Sequence, residues 1–122
     1  LRRAVTRLGQ TQFFAGADSA PHTTKATECG CAAGCFVGGC APQLYAMAFE
    51  DAGVDFEMES GVDSFKGFLC SNGPAFYNLP GSSERFVMEN ASGDVEALVT
   101  DEGPVVPLPL GMGLPLTWRL AY

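Results

Sequence analysis

The sequence predicts an α+β chain: one Gly/Cys-rich helix, a candidate single transmembrane span, followed by a small, mostly antiparallel β unit with irregular Pro/Gly-rich extended segments. Three observations carry that prediction. Cys29 to Phe49 contains no charged residue, and it holds four of the five cysteines together with a ladder at Gly30, Gly34 and Gly38. Val54 to Glu59 alternates strictly between apolar and acidic residues, as a half-buried strand does. Short apolar runs separated by turn-forming clusters continue from there to the C-terminus. The natural divisions are a basic, extended arm over 1–28, the helix region over 29–53, and an acidic β-rich unit with a Pro-rich tail over 54–122.

The arm carries Arg2, Arg3 and Arg7 and has no acid before Asp18. Arg-rich, acid-poor composition is that of an organelle-targeting segment or of the residues beside one, and a chain opening on Leu1 reads as a trimmed polypeptide. The helix comes next. At about 1.5 Å per residue, Cys29 to Phe49 would reach roughly 30 Å, the thickness of a bilayer's hydrocarbon core. Glycines four apart share a helix face and let a neighbouring backbone approach closely, so Gly30, Gly34 and Gly38 are the expected helix-packing residues. With basic residues before the span and Glu50, Asp51, Asp55 and Glu57 after it, the N-terminus would lie on the stromal or matrix side of a plastid or mitochondrial membrane. The alternative for the same residues is a soluble or secreted chain, in which a Gly/Cys loop precedes a helix started by Pro42 and stopped at Gly53.

In the β unit, Val54, Phe56 and Met58 fall on one face and Asp55, Glu57 and Glu59 on the other. Runs at 65–69, 75–79, 85–89, 95–100, 105–110 and 116–122 complete it. Proline cannot donate to a ladder, so Pro107 and Pro109 make 105–115 an edge or extended segment. The C-terminal tail from Pro104 to Tyr122 carries Leu108, Leu110, Leu114 and Trp118, which would be a liability in water and are expected to anchor the chain to a partner.

Composition excludes more than it assigns. The net charge of −7 leaves nothing to neutralise phosphates, so nucleic acid is not an expected partner. Cys29, Cys31, Cys35 and Cys40 follow C-x-C-x3-C-x4-C, which matches neither zinc nor iron–sulfur spacing, and no metal site is expected. Cys40, just before Pro42, sits where a helix N-terminus lowers a thiol pKa, so Cys35 and Cys40 form a candidate thiol site. His22 is the single histidine, which disfavours a Ser-His-Asp triad and a multi-histidine metal centre. No phosphate-binding, dinucleotide-binding or metalloprotease motif is present.

With no catalytic set, the sequence reads as a non-catalytic accessory subunit of a larger, membrane-associated assembly, such as a photosystem or respiratory complex. No cofactor is demanded. A pigment bound against the glycine face, with Gln43 or His22 as ligand, would follow from a photosynthetic setting. Two alternatives stay open: a small thiol-dependent redox protein using Cys40, and a secreted disulfide-bonded binding module.

Overall fold

The computed structural model describes residues 1–28 and 30–121. Cys29 and Tyr122, the first residue of the expected span and the last of the expected terminal strand, lie outside the described residues. The chain order is α1 (Arg2–Val5), β1 (Ala26–Thr27), β2 (Gly30–Cys31), α2 (Ala41–Asp51), α3 (Glu59–Lys66), a π-helical turn (Gly67–Ser71), α4 (Asn72–Phe76), β3 (Val87–Gly93), β4 (Leu98–Thr100), β5 (Gly103–Val105), α5 (Leu108–Met112) and β6 (Leu116–Ala121). The strands form three antiparallel pairs: β1 with β2, β3 with β6, and β4 with β5.

The expected continuous helix from residue 29 is not formed. Gly30 and Gly34 have φ of 133° and 86°, outside the right-handed helical region, and the chain becomes helical only at Ala41. Proline in the first turn loses no helical hydrogen bond, which fixes the start of α2, and the helix stops at Asp51, before Gly53 at φ 90°. Among the described residues no helix is long and apolar enough to cross a membrane. The transmembrane-helix prediction is therefore corrected, because the uncharged run is divided between irregular chain and an eleven-residue helix, and the organellar-membrane placement loses the span it was built on.

The second correction concerns the β unit. Its first part is helical. The alternation at 54–59 is too short to hold a strand, because Asp55 folds back locally: its Oδ1 accepts the Glu57 N–H at 2.8 Å and its carbonyl accepts the Met58 N–H at 3.3 Å. That turn starts α3. Gly61 is buried against it, since a Cβ there would lie 2.0 Å from the Asp55 carbonyl oxygen. The expected run at 65–69 passes from α3 into the π-helical turn, and the run at 75–79 overlaps α4.

The later runs at 85–89, 95–100 and 116–122 overlap β3, β4 and β6, but β3 continues through the expected turn at 90–93, and the run at 105–110 passes from the end of β5 into the helix α5. β3 pairs with β6 from Val87↔Ala121 to Gly93↔Leu116, with an irregularity between Asn90 and Gly93. The proline-bearing tail is not uniformly extended, because Pro109 sits in the first turn of α5.

The core is an aromatic chain joining α2, the π-helical turn, α3 and β6. Ring centroids run Tyr45–Phe68 at 5.1 Å, Phe68–Phe49 at 5.3 Å, Phe49–Phe65 at 5.1 Å, Phe65–Phe56 at 5.3 Å and Phe56–Trp118 at 5.1 Å. Tilted and edge-on pairs at this spacing contribute about 0.5–1.5 kcal/mol each beyond the burial of their area. One polar link ties the sheet to α2: Trp118 Nε1 donates to Glu50 Oε2 at 2.8 Å, and Asn90 Nδ2 donates to Glu50 Oε1 at 3.3 Å.

Candidate functional site

A set of hydrogen bonds orders the stretch before α2. Residues 18–26 and 30–38 run side by side as a long, irregular hairpin. Ser19 Oγ accepts the N–H groups of Val37 and Gly38 at 3.0 and 2.9 Å. Ala20 N–H donates to the Cys35 carbonyl at 2.9 Å, and Ala32 N–H donates to the Lys25 carbonyl at 2.8 Å. Lys25 Nζ donates to the Gly34 carbonyl at 2.6 Å. Each rung satisfies a backbone group that a loop would otherwise leave to water.

The hairpin's base is anchored from two sides. Ala15 N–H donates to the Phe68 carbonyl in the π-helical turn at 2.9 Å, and Tyr45 Oη donates from α2 to the Gly16 carbonyl at 2.9 Å. The two arms press together at Gly34, since a Cβ there would stand 2.5 Å from the Ala20 Cβ, and its φ of 86° already favours glycine.

Asp18 and His22 supply a carboxylate and an imidazole on this frame, beside the Ser19 hydroxyl, the Lys25 amine and the exposed Cys35 thiol. Asp18 holds φ at 42°, one of two non-glycine residues with positive φ among those described, and it is exposed. Aspartate tolerates that conformation better than most residues, and non-glycine positions held there by surrounding structure gather at functional sites. His22 Nε2 lies 3.1 Å from the Ala33 carbonyl. A carbonyl only accepts, so Nε2 carries a proton in that contact and Nδ1 is the nitrogen left for a ligand. The arrangement thus presents a carboxylate and an imidazole from one hydrogen-bonded loop.

The loop is open. Two clefts among the described residues have volumes of about 160 and 270 Å³, one lined by Arg7, Gln10, Asp63 and Asn72 and the other by Asp94, Pro109 and Leu116. Both fall below the roughly 300–1,000 Å³ of ordinary ligand pockets, and neither is lined by Asp18 or His22.

The residues singled out from sequence are scattered by the fold. Gly30, Gly34 and Gly38 belong to the hairpin, so they share no helix face. Cys35 is exposed on the hairpin, whereas Cys40 is buried at 2% exposure and burial pushes its thiol pKa up. A low-pKa thiol at the start of α2 is therefore not what the environment of Cys40 produces. Gln43 is buried at 7% exposure, and its Oε1 has no partner among the described residues. Of the tail residues, Trp118 is in the core of the chain itself, Leu110 and Leu114 are exposed at 48% and 41%, and Leu108 N–H donates to the Phe36 carbonyl beside the hairpin at 2.9 Å. No group of three or more His, Cys, Asp or Glu arranged to hold a metal occurs among the described residues. Sequence reasoning missed Asp18 and Ser19. The available signal was the run Asp18-Ser19-Ala20-Pro21-His22, which puts the first acid and the single histidine four residues apart.

No protein-family model matches the chain. Similarity to whole proteins is extensive. The chain is 42% identical, over 98% of its length, to a dihydroorotase of Erythrobacter litoralis, covering 33% of that protein. It is 40% identical over 98% of its length to a dihydroorotase of Aromatoleum aromaticum, and 42% identical over 99% to one of Laribacter hongkongensis. The chain spans about a third of the length of these curated relatives. Proteins alike over nearly the whole chain thus bear an enzyme's name. That overturns the expectation of a non-catalytic accessory subunit, and with it the photosystem and respiratory-complex setting.

Proposed function

We propose that the chain forms about a third of a dihydroorotase, an enzyme of pyrimidine biosynthesis, and that the 18–38 hairpin is its contribution to the active site. The observation that carries the reading is identity of 36–42% to proteins of that name over 89–99% of the chain. Dihydroorotate is a cyclic amide bearing a carboxylate. Its ring opens when water adds to a ring carbonyl and the departing nitrogen gains a proton, so the site must accept one proton and deliver another. In this reading Asp18 handles the proton, because its carboxylate is exposed on a backbone fixed by the Ser19 and Ala20 hydrogen bonds. His22 Nδ1 binds a polar group of the substrate, with Ala33 setting the ring's orientation. The remaining walls of the site come from outside these residues, which accounts for the open hairpin.

The test is a chimera in which this chain replaces the matching third of the Erythrobacter litoralis enzyme. It should retain dihydroorotase activity. Asp18→Asn should lower kcat by about 10²–10⁴-fold, the range for loss of a general acid–base group. A folded chimera without activity on dihydroorotate, or one indifferent to Asp18→Asn, would overturn the reading.

A further inference from the structure

One face of the chain is apolar, rigid and uncovered. Phe76 and Tyr77 are 67% and 62% exposed, and Leu79 follows at 61%. They are not a loose tip. Tyr77 N–H donates to the Gly73 carbonyl at 3.1 Å, Asn78 N–H to the Ala75 carbonyl at 3.3 Å, and Leu79 N–H to the Pro74 carbonyl at 2.9 Å. Phe14 stacks beneath, with ring centroids 5.3 Å from Phe76 and 5.7 Å from Tyr77. Asn72 Nδ2 donates to the Phe13 carbonyl at 2.8 Å and locks the two segments together. In a chain of net charge −7, both contributing stretches, Leu8 to Ala17 and Ser71 to Ser83, contain no charged residue. Rigid exposed aromatics without charge are what the buried centre of an interface is made of.

The total surface says how much must be covered. The chain exposes 8500 Å², whereas a compact folded chain of its 12.8 kDa exposes about 6,300 Å² by the usual scaling with mass. The surplus of about 2,000 Å² is the size one side gives up in a permanent interface, and it exceeds the roughly 800 Å² per partner of a standard one. The relatives are about three times as long as the chain, so a covering mass of the right kind accompanies this sequence in them.

We propose that the face built from Phe14, Phe76, Tyr77 and Leu79 is the seam against the other two thirds of a dihydroorotase-length unit, its occupant an apolar surface of that unit. The proposal rests on the functional reading above. It further assigns the seam to the same end of the fold that carries the hairpin, because Phe14 and Asp18 lie on one short stretch of chain. Closing the seam therefore places the hairpin beside the groups that complete the site.

Hydroxyl-radical footprinting by mass spectrometry, on the 122-residue chain and on the chimera, reads this directly. In the free chain Phe76 and Tyr77 should be modified readily. In the chimera their modification should fall at least tenfold relative to Val99, which is 82% exposed and belongs to β4. Unchanged modification in the chimera would overturn the seam. So would protection in the free chain that grows with protein concentration, since a second copy would then be the occupant. A chimera that folds only when it carries Phe76→Ser and Tyr77→Ser would also overturn it. Activity is scored separately: a protected face in an inactive chimera sinks the functional reading alone, and an exposed face in an active chimera sinks the seam alone.

Discussion

Gly34 is the residue on which the hairpin's shape most depends. It combines a left-handed φ with contact against Ala20, so even one methyl group must displace the opposite arm. Gly34→Ala should cost about 1–3 kcal/mol of local strain. Hydrogen exchange at the Ala20 amide, which bonds to Cys35, should quicken by about tenfold or more. Gly39→Ala serves as the contrast, because a Cβ there meets nothing within 4 Å and φ is ordinary. Cys40 gives a second residue-scale test. Its thiol is pushed above the ordinary value of 9.0 by burial, so at pH 8 iodoacetamide should modify Cys35 and Cys70, both exposed, well before Cys40. The sign of the pH effect follows. The unfolded chain releases the Cys40 proton near 9.0 while the folded chain keeps it, so this contribution to stability is complete below that pH and is lost as pH rises above it. A urea midpoint that rises between pH 8 and pH 10 would contradict this.

At the scale of elements, the join between α2 and the β3–β6 ribbon governs stability. A two-stranded ribbon is marginal on its own. This one is held down by Trp118 packing in the core and by Glu50, which accepts from both Trp118 and Asn90. Glu50→Ala leaves the indole N–H without its partner and should cost about 1.5–3 kcal/mol, the range for hydrogen bonds to a charged group. Urea unfolding followed through Trp118, the single tryptophan, measures it. A loss within 0.5 kcal/mol would mean water replaces the carboxylate without penalty. The elements legible in the sequence were those with a local signal. The soluble alternative for 41–53 rested on Pro42 and Gly53, and α2 begins and ends beside them. The runs at 85–89, 95–100 and 116–122 marked parts of β3, β4 and β6, although β3 extends into the cluster at 90–93 that reads as a turn. Helix α3 was not legible, because Asp55 folding back on Glu57 and Gly61 packing on the Asp55 carbonyl are contacts that periodicity does not record. Asp18 was hidden for a similar reason: a backbone angle, not a motif, distinguishes it.

Across the whole molecule, burial is unevenly distributed, and that divides the mutations that matter from those that do not. The chain of rings from Tyr45 to Trp118 joins α2, α3, the π-helical turn and β6, and Phe49 sits in its middle at 3% exposure. The β4–β5 hairpin and the 18–38 hairpin hang outside it, with Val99 at 82% exposure. Removing the Phe49 ring leaves a cavity between Phe65 and Phe68 that a rigid backbone cannot close, at a cost of about 3–5 kcal/mol. Small domains have only about 5–15 kcal/mol of stability in total, and this one carries uncovered apolar surface besides. Phe49→Ala should therefore shift the Trp118 emission of the free chain toward that of the unfolded state at 25 °C, whereas Val99→Ser should change the urea midpoint by less than the equivalent of about 0.5 kcal/mol. Placing the Phe49→Ala chain in the chimera should restore part of the lost Trp118 signal, because covering the aromatic face adds stability that the isolated chain lacks. Equal loss in both settings would mean that the core of this chain folds without help from its surroundings.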